Sequence, residues 1–397
     1  MSHGTNVPQT WQFMATGLIL AWGLMPSGGW QGAVVEQARV SMRSDLLNRA
    51  DYERMERGYY EQLLDAGRTL GTSQVTQAPP TNGPAGPSLV CDVVNDLREM
   101  VPRPNLVYRQ PVGASWSTNE QGMRDRFYSL AKPPRTLRIG MMGDSIGAGW
   151  GVGDNLGFEP LLEQTLDRSA KRDRGARVEI LNFALPGRCP GQRWYHLNEV
   201  GGWSMGLDLV LVEATQADVG WAGRRLRELL PRGIGWDSPL YAEVLASCGL
   251  TPGQPGEVYE RALRPHAWEL VLREYQAIVQ GCSARNVPSI WVLLPRVGRP
   301  VKAEEHQRLV SVAQAAGFSA IVDVSDAFDG HNPATLTARH DDYHPNAKGH
   351  AILADRIEQA LQNHPLLIDL QSRAQEEAAG ELSESASEAA MDPASSS

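Results

Sequence analysis

A serine in a glycine-rich segment is the first residue of this chain whose surroundings suit chemistry. Ser145 lies within GDSIG at 143–147, directly after the apolar run LRIGMM at 137–142. A serine at a strand-to-helix turn is exposed, and small neighbours let substrate and backbone N–H groups approach it closely. These residues alone leave two interpretations open: Ser145 is a nucleophile, or the glycines make a turn and Ser145 caps the next helix.

A histidine near the other end of the chain supplies a candidate base. His344 follows Asp341 by three residues in HDDYHPNAKGH at 340–350. An acid at this spacing in a loop can orient an imidazole, whose other ring nitrogen then deprotonates a serine. A zinc site is a second interpretation because HDDYH mimics H-E-x-x-H, but Pro345 disfavours the helix that such a site needs. Helix capping without chemistry is a third. We predict no metal.

Phosphate-binding motifs do not fit the glycines after Ser145. A dinucleotide-binding pattern needs a third glycine or alanine three positions after G-x-G, but Val152, Asp154 and Leu156 stand there. No Gly-Lys-Ser/Thr follows, which excludes a P-loop. We therefore predict no organic cofactor.

The elements that position these residues belong to an α/β pattern. Short, strongly apolar runs alternate with helical stretches such as 158–169, 262–281 and 303–316, and runs this apolar suit strands that are covered on both faces. The pattern predicts a five-stranded parallel sheet in a three-layer α/β/α domain, with ligands beyond the carboxyl ends of the strands. The predicted strands are 137–142, 178–184, 207–212, 289–294 and 320–324.

Both segments resemble the GDSL, or SGNH, hydrolase superfamily of esterases, lipases, carbohydrate-ester deacetylases and some acyltransferases. The resemblance rests on GDS at 143–145 and on D-x-x-H-P-N at 341–346, and it covers roughly 115–360. TNEQGMRD at 118–125 is also similar to bacterial members that act on cell-surface glycans. The resemblance implies a flavodoxin-like fold in which Ser145 is the nucleophile, His344 the base and Asp341 the residue that supports His344.

The same resemblance implies an oxyanion hole. In the family, the N–H of the serine, a glycine N–H after the second strand and an asparagine side chain after the third strand bind the oxyanion. The first two carry over to Ser145 and Gly187, but Ala217 stands at the asparagine, so Gln216 is the candidate replacement. Loss of one such donor typically costs about 100- to 1000-fold in turnover. The residues expected to bind substrate are Asp144, Trp150, Gln192 and Asp218.

The expected function is hydrolysis of O-acyl esters, with acetyl favoured, on a carbohydrate or a small alcohol. An O-acetyltransferase acting on a polysaccharide is an alternative, because the chemistry differs only in the second acceptor. A catalytically impaired domain that binds a glycan is a further alternative, since the third oxyanion donor is missing.

Charge and composition narrow the partners and the domain organisation. The 397 residues carry a formal net charge of -9, which argues against a nucleic-acid binder. Much of the acidity lies in 371–397, where one Arg stands against five Glu and one Asp and few residues are apolar, so we expect a disordered tail. The helical spacing of apolar residues in 35–70 predicts an amphipathic helix or stalk, and 71–89 form a Pro/Gly-rich linker. We expect 90–370 to form the hydrolase domain, with an insertion at about 219–262.

The N-terminal segment, 1–34, bears on localisation. The uncharged apolar run at 13–25 is too short for an ordinary membrane span and nearer in length to a signal-peptide core. We expect an exported or membrane-anchored protein, with membrane association through residues 11–30. A buried apolar helix in a cytoplasmic protein is the alternative. The sequence does not indicate an oligomeric state.

Overall fold

The computed structural model describes residues 90–110, 113–340 and 342–376. The expected signal or anchor at 1–34, the helix at 35–70 and the linker at 71–89 lie outside the described residues, as does most of the acidic tail. Residues 365–376 are helical, so the helix extends into the segment expected to be disordered. Burial explains this difference, because Gln371 and Ala374 are buried and Arg174 donates a hydrogen bond to the Gln371 side chain.

Two short hairpins precede the central sheet, and the sequence pattern did not predict them. β1 (Cys91–Val93) pairs antiparallel with β2 (Met100–Pro102), and β3 (Val107–Arg109) pairs antiparallel with β4 (Ser115–Ser117). Strands of three residues are too short to show a clear alternation of polar and apolar side chains.

The central sheet has five parallel strands, as the sequence predicts. The strands are β5 (Thr136–Met142), β6 (Arg177–Asn182), β7 (Leu209–Ala214), β8 (Ser289–Leu293) and β9 (Ala320–Asp323), hydrogen-bonded in the order β6-β5-β7-β8-β9. The GDSIG segment that contains Ser145, called the nucleophile segment below, follows β5, the strand next to the middle one. The two strands that flank β5 end beside this segment.

Helices cover both faces of the sheet. On β7, Leu209 and Leu211 face one hydrophobic core, whereas Val210 and Val212 face the other. This explains why the strands are apolar without alternation, and it gives the three-layer α/β/α fold. The helices are α1 (Phe158–Arg174), α2 (Pro190–Glu199), α3 (Asp218–Leu229), α4 (Ala242–Ser247), α5 (Gly256–Leu263), α6 (Ala267–Ser283), α7 (Ala303–Ala316) and α8 (Ala347–Leu361).

One predicted helix is interrupted. The stretch 262–281 reads as one helix in sequence, but α5 ends at Leu263 and α6 begins at Ala267, with a 3₁₀ turn at Arg264–His266 between them. Pro265 lies in this turn, and its ring removes the N–H that a continuous α-helix would use. The predicted insertion at about 219–262 consists of α3, α4 and α5 joined by turns.

Candidate active site

The nucleophile segment forms a tight turn at the carboxyl end of β5. The N–H of Ala148 donates to the Asp144 carbonyl, and the N–H of Trp150 donates to the Ser145 carbonyl, both at 2.9 Å. These bonds hold the Ser145 side chain at the sheet edge where parallel α/β folds bind ligands. Ser145 is only 2% exposed, so little room surrounds its hydroxyl.

His344 meets Ser145 from the segment before α8. Its Nε2 lies 2.8 Å from the Ser145 Oγ, within hydrogen-bond distance of the proton that a base would remove. Asn346 begins α8 by accepting a hydrogen bond from the Gly349 N–H at 3.1 Å. Helix capping is therefore also present here, but Asn346 does it and leaves His344 free for Ser145.

The carboxylate on the other side of the imidazole belongs to Asp342, whereas the sequence interpretation gave this role to Asp341. Asp342 Oδ1 lies 2.7 Å from His344 Nδ1, and Asp341 lies outside the described residues. The same oxygen accepts the N–H of Tyr343 at 2.7 Å and the N–H of His344 at 3.2 Å. A compact turn over residues 342–344 thus brings the aspartate two positions before the histidine to its ring.

Asp342 is held as a carboxylate. Burial by itself would raise its pKa, but the charge interaction with His344 and the hydrogen bonds from His344 and Tyr343 outweigh burial and leave the pKa below its ordinary value. An ionised Asp342 fixes the proton on Nδ1, so Nε2 is the nitrogen that can accept a proton from Ser145.

Two backbone N–H groups converge on the other side of Ser145. The N–H of Ser145 and the N–H of Gly187, at 2.7 Å for Gly187, both donate to Asp144 Oδ1. Gly187 has a φ of 80°, a left-handed conformation that suits glycine. The two N–H groups predicted to bind the oxyanion therefore converge on one carboxylate oxygen of the chain, and their role as oxyanion donors stays a prediction.

The other residues expected to contact substrate lie in the interior. Trp150 is 6% exposed and packs edge-on against Trp116, with 5.3 Å between ring centroids. Gln192 closes a capping box with Cys189 at the start of α2. Asp218 is fully buried and binds Arg193 through both carboxylate oxygens. These three side chains were expected to contact substrate, but in the structure each one is engaged in packing or in hydrogen bonds within the protein.

Gln216 lies in the turn between β7 and α3 and is half-buried. Its Oε1 is buried without a hydrogen-bond partner. Among the described residues, no hydrogen bond joins its side chain to Ser145, Gly187 or Asp144, so its role as third oxyanion donor stays a prediction.

Two further residues support the site, and the sequence interpretation missed both. Glu213 reaches the nucleophile turn from the end of β7. Arg124 is buried and donates to the carbonyl groups of Ala148, Gly149 and Val152, which follow Ser145. A charged residue inside an apolar strand, as in LVLVEA, is a signal that could have directed attention to Glu213.

Within residues 90–110, 113–340 and 342–376, no group of three or more His, Cys, Asp or Glu side chains is arranged to hold a metal ion. The same ranges contain no helix that combines the length and apolar character needed to cross a membrane. The apolar run at 13–25 lies outside them.

A three-layer α/β/α domain with a hydrogen-bonded serine and histidine at the carboxyl edge of its sheet has the architecture of SGNH hydrolases. Residues 141–352, more than half of the chain, match the GDSL-like Lipase/Acylhydrolase family. The chain belongs to this family and is a carboxylic ester hydrolase. No curated protein matches the chain.

Several solved structures have similar folds. The psychrotrophic esterase EstA from Pseudoalteromonas sp. is 15% identical, with 57% of this chain and 96% of that chain covered and a TM-score of 0.36. LAE5, an alpha/beta hydrolase from the metagenome of Lake Arreo, is 19% identical, with 56% and 94% covered and a TM-score of 0.35. Axe2, an acetylxylan esterase from Geobacillus stearothermophilus, is 16% identical, with 56% and 93% covered and a TM-score of 0.37.

Proposed function

We propose that this chain hydrolyses short O-acyl esters, with acetyl as the acyl group, through a triad of Ser145, His344 and Asp342. The observation that carries the proposal is the unbroken line of contacts from Ser145 Oγ to His344 Nε2 at 2.8 Å and from His344 Nδ1 to Asp342 Oδ1 at 2.7 Å. A nucleophile, a base and a group that orients the base at these distances are the parts that acyl transfer requires.

In the first half of the reaction, Ser145 Oγ attacks the ester carbonyl carbon while His344 Nε2 takes the hydroxyl proton. The tetrahedral intermediate collapses when His344 returns this proton to the leaving alcohol, which breaks the ester bond and leaves an acyl group on Ser145. In the second half, His344 deprotonates water, the resulting hydroxide attacks the acyl-enzyme, and the carboxylic acid leaves as Ser145 regains its proton. Asp342 stabilises the imidazolium that forms in both halves.

The N–H groups of Ser145 and Gly187 supply the charge stabilisation for both intermediates. Because both donate to Asp144 Oδ1, the Asp144 side chain must turn away before the carbonyl oxygen of a substrate can take its place. The active conformation therefore differs from the described one at the Asp144 side chain.

Burial of the site supports a short acyl group. Ser145 and His344 are each only 2% exposed, and the buried Trp150 lies in the segment that follows the serine. A short acyl group such as acetyl fits such a site better than a long chain. We propose that the alcohol part of the ester is a carbohydrate hydroxyl or a small alcohol. The resemblance of 118–125 to family members that act on glycans supports the carbohydrate.

A test compares the full chain with Ser145→Ala, using a fluorophosphonate probe for reactive serines and p-nitrophenyl acetate, propionate and octanoate as substrates. The expected result is probe labelling and acetate turnover that both require Ser145, with turnover falling as the acyl chain lengthens. Equal labelling of both proteins would contradict the nucleophile assignment, and preferred cleavage of octanoate would contradict the short acyl group.

A catalytically impaired domain that binds an acylated glycan is the second candidate. The occupied oxyanion site and the alanine at position 217 favour it. This candidate predicts binding of an acetylated oligosaccharide without probe labelling or turnover. Labelling without turnover in water, together with acetyl transfer to an added glycan, would instead indicate an acyltransferase.

A further inference from the structure

Glu213, which contacts the nucleophile turn from behind, has no part in the reaction steps proposed above. Glu213 lies near the carboxyl end of β7 and is 2% exposed. Its Oε2 accepts the N–H of Asp144 and the N–H of Gly147, each at 2.9 Å. These two N–H groups lie on either side of Ser145 in the chain, so one carboxyl oxygen holds both flanks of the nucleophile.

The glycines of the turn make room for this carboxyl group. A Cβ atom on Gly143 or on Gly147 would overlap Glu213 Oε2, and in each case also approach the Ala184 side chain. Neither glycine has a left-handed φ, so backbone conformation does not require glycine at either position. The close approach of Glu213 does require it.

The charged groups that face Glu213 come from three elements. Arg193 on α2 favours its ionised form, whereas Asp144 on the nucleophile turn and Asp218 on α3 oppose it. Arg193 is itself bound to Asp218 through both carboxylate oxygens, and it donates to the backbone carbonyl of Glu213. Glu213 Oε1 is buried and has no hydrogen-bond partner among the described residues, so no donor there compensates a full negative charge.

We propose that Glu213 is a positioning residue that fixes the turn carrying Ser145 and so sets the distance from Ser145 Oγ to His344 Nε2. The inference rests on the proposed function, because it takes Ser145 as the nucleophile. Among the described residues, no hydrogen bond joins Glu213 to Ser145 Oγ, so it acts through the N–H groups of Asp144 and Gly147.

A pH dependence follows from the environment of Glu213. Burial, with a contribution from Asp144, raises its pKa to about 8, so the carboxyl group is neutral at pH 7. Above pH 8 it becomes a buried anion next to the turn, where its charge opposes the negative charge that develops on the substrate oxygen. Activity should therefore decline on the alkaline side as Glu213 ionises.

The experiment uses the full chain with Glu213→Gln and Glu213→Ala, measuring kcat, KM, probe-labelling rate and thermal unfolding from pH 6 to pH 10. Glutamine keeps an oxygen that accepts both N–H groups but cannot ionise, whereas alanine removes the acceptor. Glu274→Gln is the matched control. Glu274 is also fully buried with a pKa raised to about 8 by burial, but it binds Tyr241 and not the nucleophile turn.

We expect Glu213→Ala to lower kcat and the labelling rate by about 100-fold, the cost of a misplacement near 1 Å, with a much smaller change in KM. Glu213→Gln should stay close to wild type at pH 7 and lose the alkaline decline, whereas Glu274→Gln should keep it. A Glu213→Gln variant that retains the decline, or a Glu213→Ala variant that melts earlier but labels at the wild-type rate while folded, would overturn the inference.

Ser145→Ala in the same assays separates the two proposals. If Ser145→Ala is inactive and both Glu213 variants match wild type, only the positioning role fails. If Ser145→Ala still hydrolyses and labels, the proposed function fails, whatever the Glu213 variants do.

Discussion

The two sides of Ser145 are prepared to different degrees. On the base side, His344 Nε2 and Nδ1 have partners at 2.8 and 2.7 Å, and Asp342 also holds two backbone N–H groups. On the oxyanion side, the N–H groups of Ser145 and Gly187 are aligned, but the Asp144 carboxylate occupies the position they form. In the proposed mechanism, proton transfer from Ser145 to His344 begins from the described geometry, whereas stabilisation of the oxyanion requires the Asp144 side chain to move first.

This difference separates two kinds of contribution to rate. Groups that are already in place act without reorganisation when the reaction occurs, which is the main advantage of a preorganised site. A donor pair that is already bound to an internal anion contributes only after that anion has been displaced. We therefore expect the base side to show large losses on mutation, and the oxyanion side to allow a gain.

Removal of the base tests the prepared side most severely. His344→Ala is expected to lower kcat on the order of 10⁴- to 10⁶-fold, because Ser145 then has no group to accept its proton. Steady-state hydrolysis of p-nitrophenyl acetate measures the effect, with circular dichroism to confirm folding. A folded His344→Ala variant within about tenfold of wild type would show that another group takes the proton.

Asp342 and Asp341 give a matched pair for the next largest effect. Asp342→Asn is expected to lower kcat by about 10⁴-fold, because an amide at Nδ1 can stabilise the wrong tautomer of His344. Asp341→Asn should stay near wild type, because the described contact to Nδ1 is made by Asp342. The reverse ranking of the two variants would restore Asp341 as the supporting acid.

On the oxyanion side, Asp144→Asn should increase activity. A neutral amide oxygen binds the N–H groups of Ser145 and Gly187 less strongly than a carboxylate, by about 1 kcal/mol, so kcat/KM should rise by about fivefold. The measurement is kcat/KM for p-nitrophenyl acetate at pH 7. A fall in kcat/KM would mean that Asp144 aligns the two N–H groups and does not compete with the substrate.

The smallest effect is expected at Gln216. Gln216→Ala should change kcat by about twofold or less, because the described residues include no hydrogen bond from its side chain to Ser145, Gly187 or Asp144. A loss of about 100- to 1000-fold would instead identify Gln216 as the third oxyanion donor. Ala217→Asn provides the companion variant, since the family resemblance places an asparagine at this position.

Much of the fold follows from local pattern, and the failures have local reasons. The five apolar runs predict the five strands because both faces of the sheet are buried, so each strand is a continuous run of apolar residues. The hairpins at 91–102 and 107–117 escape prediction because each strand has three residues. The break at Pro265 was missed because apolar spacing continues across it.

The sequence predicted the pairing of Ser145 with His344, but it predicted less well the residues that hold this pair in position. Ser145 and Gly187 follow the carboxyl ends of the neighbouring strands β5 and β6, and His344 lies just before α8, so the three residues come together at the carboxyl ends of the strands. Gln192 and Asp218 were expected to bind substrate, but their side chains are held by other contacts. Gln192 caps α2, and Asp218 binds Arg193 on α2 and Tyr275 on α6. The Asp218 contacts join residues that are 25 and 57 positions apart in the chain, and no spacing rule reveals them.

The sequence by itself determined the five strands of the central sheet, the family, and the serine and histidine that we propose as nucleophile and base, because residue type and periodicity encode these properties locally. Only the tertiary structure decided which aspartate reaches His344, because adjacent positions in a loop differ in direction and not in chemistry. It also decided that Asp144 accepts the N–H groups of Ser145 and Gly187 and that Glu213 lies behind Gly143 and Gly147. These relations depend on distances between neighbouring strands, which are set when the sheet packs.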